Sequence, residues 1–279
     1  MAADSSGQHG DLLGRPTVYV SRYDSSLIQP ISRQLSRQTL GLQADPLPFH
    51  GADLWTAYEL SWLNPQGKPQ VAIASVVIES DSVAIIESKS FKLYLNSFNQ
   101  TRFSSPDEVC SRLERDLAAA AQGGVRVDLH EPESAMLGCR AGFQGECLDN
   151  LEIETDCYQP DAGLLKLENA ELEVTESLYS HLLKSNCPVT GQPDWASVLI
   201  HYRGPKIDRA ALLRYIISFR EHQDFHEHCV ERMFLDIKRR CLPSGLTVYA
   251  RYTRRGGLDI NPFRSDMDAA PESIRLLRQ

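Results

Sequence analysis

Apolar residues recur along this chain first with a period of two and then with helical spacing, and the order repeats in the second half. Leu54 to Leu63 and Val71 to Glu79 read as strands, joined by the hairpin signal Asn64-Pro-Gln-Gly-Lys-Pro69, and Val83 to Ile86 is a third short run leading into Glu87. From Ser88 to Phe98 the positions Phe91, Tyr94, Leu95 and Phe98 share one helical face, so Lys89 and Lys92 project elsewhere. A second helix is expected from Ser105, where Ser-Pro-Asp-Glu supplies a cap, a proline at the first helical position and a glutamate three residues on. Gly123-Gly124 is expected to end it, and Val125 to His130 follows as a strand.

The second half opens with an extended run, Ala170 to Leu183, and a strand, Trp195 to Tyr202. Asp208 caps a helix through Leu212, Leu213, Ile216 and Phe219, and another runs from about His226 to Arg240 with Val230, Met233, Phe234 and Ile237 on one face. Leu246 to Thr253 and Leu258 to Ile260 close as strands. Both halves thus read strand, strand, helix, helix, strand, which predicts two similar α+β modules in tandem. The expected divisions are a flexible N-terminus at 1–15, a first module at 16–131, a linker without sustained period at 132–168, and a second module at 169–279. Leu27 to Pro48 has no clear period and reads as irregular with a turn of helix.

Composition narrows the function. The 279 residues are 42% hydrophobic, enough for a real core, and 29 Lys and Arg against 37 Asp and Glu give a net charge of -8. That balance opposes nonspecific binding to nucleic acid or an anionic membrane, though a small anionic ligand can still find a local basic pocket. No stretch has the length of a membrane span and no leader is evident, so a cytoplasmic protein is expected. Seven cysteines, at 110, 139, 147, 157, 187, 229 and 241, form no Cys-x-x-Cys pair, and reduced thiols are expected.

Four clusters could carry chemistry. Ser185-Asn-Cys-Pro-Val-Thr-Gly-Gln-Pro-Asp194 places a thiol and a carboxylate in one loop, where Pro188 drives Cys187 to an extended conformation. Cys187 as thiolate is a nucleophile, and Asp194 could take its proton and return it to an adduct; a packed structural cysteine and a turn aspartate is the plain alternative. Glu87 and Glu227 could each accept paired hydrogen bonds from the edge of a guanine-type base, or be exposed carboxylates at helix ends. His226 is a neighbour in chemistry or a capping histidine. His222 and His226 have the spacing of a helical zinc pair, without the glutamate or Cys-x-x-Cys that would support one. No G-x-G-x-x-G follows a strand, so a nucleotide cofactor needs another mode, with Lys89, Lys92, Arg254 and Arg255 on its phosphates and Gly256-Gly257 allowing close approach.

Taken together, Glu87-Ser-Lys-Ser-Phe-Lys-Leu-Tyr-Leu-Asn-Ser-Phe98, the cysteine loop, Phe225-His-Glu-His-Cys229 and Arg255-Gly-Gly-Leu-Asp-Ile-Asn-Pro262 resemble the signatures of the NADPH-dependent 7-cyano-7-deazaguanine reductases, the QueF family. The resemblance runs from about residue 15 to the C-terminus and is to the long, two-module bacterial form. It implies a tunnelling fold, in which antiparallel sheets carry paired helices on one face, and a homodimer. It implies reduction of a nitrile to a primary amine with two NADPH, on a free deazapurine, in queuosine biosynthesis for tRNA, with no direct contact to nucleic acid. By the same resemblance Cys187 forms a thioimidate and Asp194 donates a proton. Glu87, Ser88, Lys89, His226 and Glu227 hold the substrate, and Lys89, Ser90, Arg255 and Gly256 hold NADPH. Since Glu87 and Cys187 come from different halves, the site is expected between modules. No metal is implied. A non-catalytic purine-binding or assembly module and a cysteine hydrolase or amidotransferase are the rival readings.

Overall fold

The computed structural model of the chain describes residues 19–42, 46–134, 142–269, 271 and 274–279; the segment 1–15, read as flexible, and Cys139 lie outside them. The first module holds the strands β2 (His50–Leu63), β3 (Pro69–Glu79) and β5 (Val125–His130), with helices α2 (Ser88–Asn96) and α3 (Pro106–Ala121). Before them, the stretch read as irregular contains β1 (Pro30–Ser32) and helix α1 (Arg33–Thr39), and β1 pairs with β4 (Ala84–Ile86) in a separate two-stranded sheet. Ser32 caps α1 by accepting from the Gln34 N–H, a signal obscured in the sequence by the polar run around it.

The second module has β7 (Leu167–Asn186), β8 (Pro193–Ile207), helices α4 (Arg209–Ser218) and α5 (His226–Cys241), then β9 (Gly245–Tyr252) and β10 (Leu258–Ser265). The 132–168 segment is not wholly irregular, since β6 (Glu146–Cys147) pairs in parallel with β7. All other neighbours are antiparallel in one sheet of order β5-β3-β2-β10-β9-β8-β7-β6. The fold is therefore α+β, with the four long helices on one face.

Each helix pair buries its apolar stripe on its own half of that sheet. Phe91, Tyr94, Leu95, Val109, Leu113 and Leu117 pack on Trp55, Ala74, Val76 and Ile78. Leu212, Ile216, Val230, Met233, Phe234 and Ile237 pack on Leu183, Val198, Ile200, Val248 and Ala250. The opposite face carries a smaller apolar cluster, Phe143, Tyr249, Phe263, Ile274 and Leu276. This second cover is why β9 and β10 are buried at every position rather than alternately.

Helix α3 does not end on glycine as expected. Gln122 takes the left-handed cap, at φ 51°, and Gly123 is needed because a Cβ there would come within 2.5 Å of Ser82.

The modules join through β10, which pairs along its length with β2 of the first module. Beside this seam lies a buried ionic network. Asp53 on β2 binds Arg33 of α1 and Arg264 of β10, the latter at 2.9 Å; Glu231 of α5 binds Arg264 at 3.0 Å and Arg37 of α1 at 2.7 Å. Burial by itself raises the pKa of Asp53 and Glu231, but the arginines outweigh it and hold both below their ordinary values. Such a network contributes little net stability compared with apolar packing, yet losing one member leaves a buried charge unmatched.

Candidate active site

The cysteine loop is the tip of the β7–β8 hairpin. Ser185 pairs with Asp194 and Asn186 with Pro193 across the two strands, so Asp194 is a strand residue and only 187–192 form the turn. The Cys187 N–H donates to the Gln192 carbonyl and the Gly191 N–H to the Cys187 carbonyl, both at 2.9 Å, with Gly191 at φ 68°. On the far side, the Asn186 N–H donates to the His222 carbonyl at 2.8 Å and the Asp224 N–H to the Asn186 carbonyl at 3.1 Å. Backbone bonds thereby fix the thiol against the start of α5.

Burial alone would push the Cys187 thiol up. Hydrogen bonds from the Thr190 hydroxyl and N–H, the Val189 N–H and the Arg255 guanidinium outweigh it, so the thiol lies below its ordinary value. A lowered thiol in a half-buried position is more reactive at neutral pH than a packed core cysteine such as Cys229, which burial pushes up.

Asp194 is 4% exposed and held at both oxygens: Arg255 Nε lies 2.9 Å from Oδ1 and His226 Nε2 lies 3.3 Å from Oδ2. His226, the first residue of α5, stacks flat on Tyr252 of β9, with ring centroids 3.6 Å apart and planes 1° apart. That contact fixes the imidazole plane. Its neighbour Glu227 is 2% exposed, and among the described residues its carboxyl has no ion-pair partner. Burial and the nearby Asp53 carboxylate raise the Glu227 pKa, against smaller opposing effects of His226 and Arg33.

The first module brings Glu87, the cap of α2. Its Oε1 accepts from the Lys89 N–H at 2.9 Å and its Oε2 from the Ser90 N–H at 2.7 Å. A carboxylate has about four acceptor positions, so each oxygen keeps one for a ligand. Glu87, Ser88, Lys89 and Lys92 line one cavity of about 330 Å³ together with Cys187, Asp194, His226, Glu227, Arg255 and Gly256. Its size falls at the small end of the range for small-molecule sites. A larger hollow of about 540 Å³ lies on the opposite face of the sheet and contains none of these residues.

Residues 19–129 match the family described as nitrile reductase, 7-cyano-7-deazaguanine-reductase N-term, and residues 193–271 match the QueF-like protein family. The chain belongs to the two-module QueF family. The family is one of nitrile reductases of the queuosine pathway. Among solved structures, that of the archaeosine synthase QueF-Like in the apo form is similar at 17% identity over 35% of this chain and 95% of its own, with a TM-score of 0.30.

Within this QueF-family chain, two residues expected at the cofactor do not reach the cavity wall. The Ser90 hydroxyl donates to the Glu87 carbonyl at 2.7 Å and accepts from the Gln29 N–H at 3.0 Å, so it secures the helix start. Arg254 instead lies over the Tyr58 ring, 4.9 Å from its centroid. His222 and His226, which have the spacing of a helical zinc pair, do not share a helix, because His222 precedes α5 and only His226 is on it. Gly256 and Gly257 are both left-handed, at φ 57° and 79°, so the turn's own backbone already calls for glycine at these positions.

Two contributors, Thr190 and Tyr252, and one role of Arg255 are not legible in the sequence. Thr190 is visible in hindsight as the residue three after the cysteine; Tyr252 depends on strand register; and Arg255, assigned to the cofactor, also clamps Asp194 and the thiol. No helix among the described residues is long and apolar enough to cross a membrane.

Proposed function

We propose that the protein reduces the nitrile of 7-cyano-7-deazaguanine to the primary amine of 7-aminomethyl-7-deazaguanine, with two NADPH, as a cytoplasmic homodimer acting on the free base. The observation that carries this reading is the meeting of a lowered thiol, a buried Asp194–His226 pair and two glutamates from different modules in one cavity.

In this reading Glu227 and Glu87 accept hydrogen bonds from the ring N–H and amino group of the base, which fixes the nitrile carbon over Cys187. Cys187 Sγ bonds to that carbon while the nitrile nitrogen takes a proton from Asp194, giving a thioimidate. Arg255 holds the thiolate before attack and Asp194 in line with the nitrogen. Once the carbon has been reduced, its bond to sulfur breaks and the electron pair returns to Cys187. His226 then faces an imine whose nitrogen carries positive charge, with its ring plane set by Tyr252. NADPH supplies hydride when bound. Lys89, Lys92 and Arg255 at the cavity, with the tight Gly256 turn beside Lys92, fit its phosphates.

The test is direct. With the nitrile and NADPH, absorbance of the reduced cofactor falls at two equivalents per amine formed. Cys187→Ala loses both turnover and the absorbing thioimidate adduct, whereas Asp194→Asn binds the base but stalls before reduction. Nitrile reduction by Cys187→Ala would overturn the mechanism, and turnover without any reduced nicotinamide would make the protein a hydrolase instead.

A further inference from the structure

The β6 edge of the sheet, outside the residues that line the cavity, holds a second cluster of reactive side chains. Strand β6 lies parallel to β7 with Cys147 opposite Tyr179. Tyr179 and His181, two residues apart on β7, lie edge to face on one side of the sheet with ring centroids 5.4 Å apart, and Asp149 lies in the turn that follows β6. Leu148, between Cys147 and Asp149, and Leu178, which precedes Tyr179, are buried in the core on the helix side. Donor atoms of Cys147, Asp149 and His181 come within 4.8 Å of one another, and all three residues are half-buried.

We propose that Cys147, Asp149 and His181 form a binding site for one Zn²⁺ ion. Thiolate, imidazole and carboxylate are the donors zinc takes, and three protein ligands leave a fourth position for water. Donors around a tetrahedral zinc stand roughly 3.5 Å apart, so closure needs side-chain adjustment of about an ångström.

The surroundings are arranged as outer ligands would be. His181 Nδ1 is 2.7 Å from the Ser197 hydroxyl, which leaves the Nε2 lone pair for a metal. Asp149 is held by the Ser180 hydroxyl at 2.6 Å and by the His181 N–H at 3.0 and 3.2 Å, so its carboxylate is already oriented. Cys147 carries no disulfide and would release its proton on binding. A metal here would staple the segment after residue 142 to the β7 edge.

Sequence spacing could not reveal this site, because its ligands are brought together by register between distant strands. It stands apart from the nitrile-reducing cavity and does not depend on that reading.

Titration of the reduced full-length protein with Co²⁺ tests the assignment. One equivalent should give a thiolate-to-cobalt charge-transfer band that Zn²⁺ displaces. The band should survive Cys187→Ala and vanish in Cys147→Ser, and His181→Ala should weaken Co²⁺ binding at least about tenfold. Ser197→Ala, which spares all three ligands, should weaken it by about the same factor. A wild-type protein with no band, a band retained in Cys147→Ser, or Co²⁺ affinity unchanged in both His181→Ala and Ser197→Ala would overturn the site.

Discussion

Glu87 and Glu227 enter the same cavity from opposite modules, and the fold treats them differently. Glu87 is half-buried and caps a helix, both oxygens already accepting from backbone N–H groups. Glu227 is buried in the first turn of a helix without a side-chain cap, beside the Asp53 carboxylate, and its pKa is raised. The first is oriented before any ligand arrives; the second waits for one. An amidine-like edge donates to a carboxylate, so it stabilises the charged form of Glu227 that burial disfavours. Under the proposed function, base recognition would draw most of its discrimination from Glu227, because an ill-matched ligand leaves that group unsatisfied in a buried site.

Four substitutions probe this difference. Asp53→Asn should have the largest effect, lowering stability by about 3–5 kcal/mol in denaturant unfolding because Arg33 and Arg264 lose their buried partner. In the protein that remains folded, the Glu227 pKa should fall; if it does not, Asp53 is not what raises it. Glu227→Gln should weaken binding of the deazapurine by about 2–3 kcal/mol. It should also act on stability with a definite sign. A carboxyl whose folded pKa is raised stabilises the fold fully below its ordinary pKa, and that contribution is lost as pH rises through the folded value. The Gln variant should therefore gain on the parent above that window and lose the gain below it. Calorimetry of the parent in buffers of different ionisation enthalpy should show proton release on ligand binding below the raised pKa. A binding reaction with no proton release there would remove the distinction between the two glutamates.

Glu87→Gln should cost less, about 1 kcal/mol of stability from the weakened cap and at most about tenfold in affinity. An affinity loss larger than that of Glu227→Gln would reverse their ranking. Thr190→Val should have the smallest effect, a few-fold slower alkylation of Cys187 at neutral pH as the thiol loses one hydrogen bond.

Most regular elements were legible because their patterns are strong: the stripe Phe91, Tyr94, Leu95, Phe98 and the cap at Ser105 both predict what forms. The site's thiol and carboxylates were legible from their combination in four separated motifs. What stayed hidden depends on tertiary context. Helix α1 is short and polar, and its Arg33 and Arg37 are buried only because Asp53 and Glu231 await them from other elements. The sequence pattern predicts that strand β10 stops at Ile260, yet it continues through Pro262 to Ser265. Proline is tolerated there because β9 pairs with β10 only from Phe263 onward along this stretch; nearer the cavity the Asn261 and Gln279 side chains take the N–H and carbonyl of Tyr252. Ser90 shows the converse, since a motif residue expected to meet a ligand is consumed by its own helix start.

The covalent boundary between the modules and their hydrogen-bonding boundary are in different places. Chain order puts the division in the segment before Leu167, but β10, last in sequence, completes the sheet of the first module by pairing from Leu258 against Ala57 to Ser265 against His50. Severing the chain between the halves would strip β2 of that partner and leave a fourteen-residue strand with a bare edge, the kind of surface that recruits strands from other chains. The two halves are thus interlocked, and the first module on its own would be an aggregation-prone fragment.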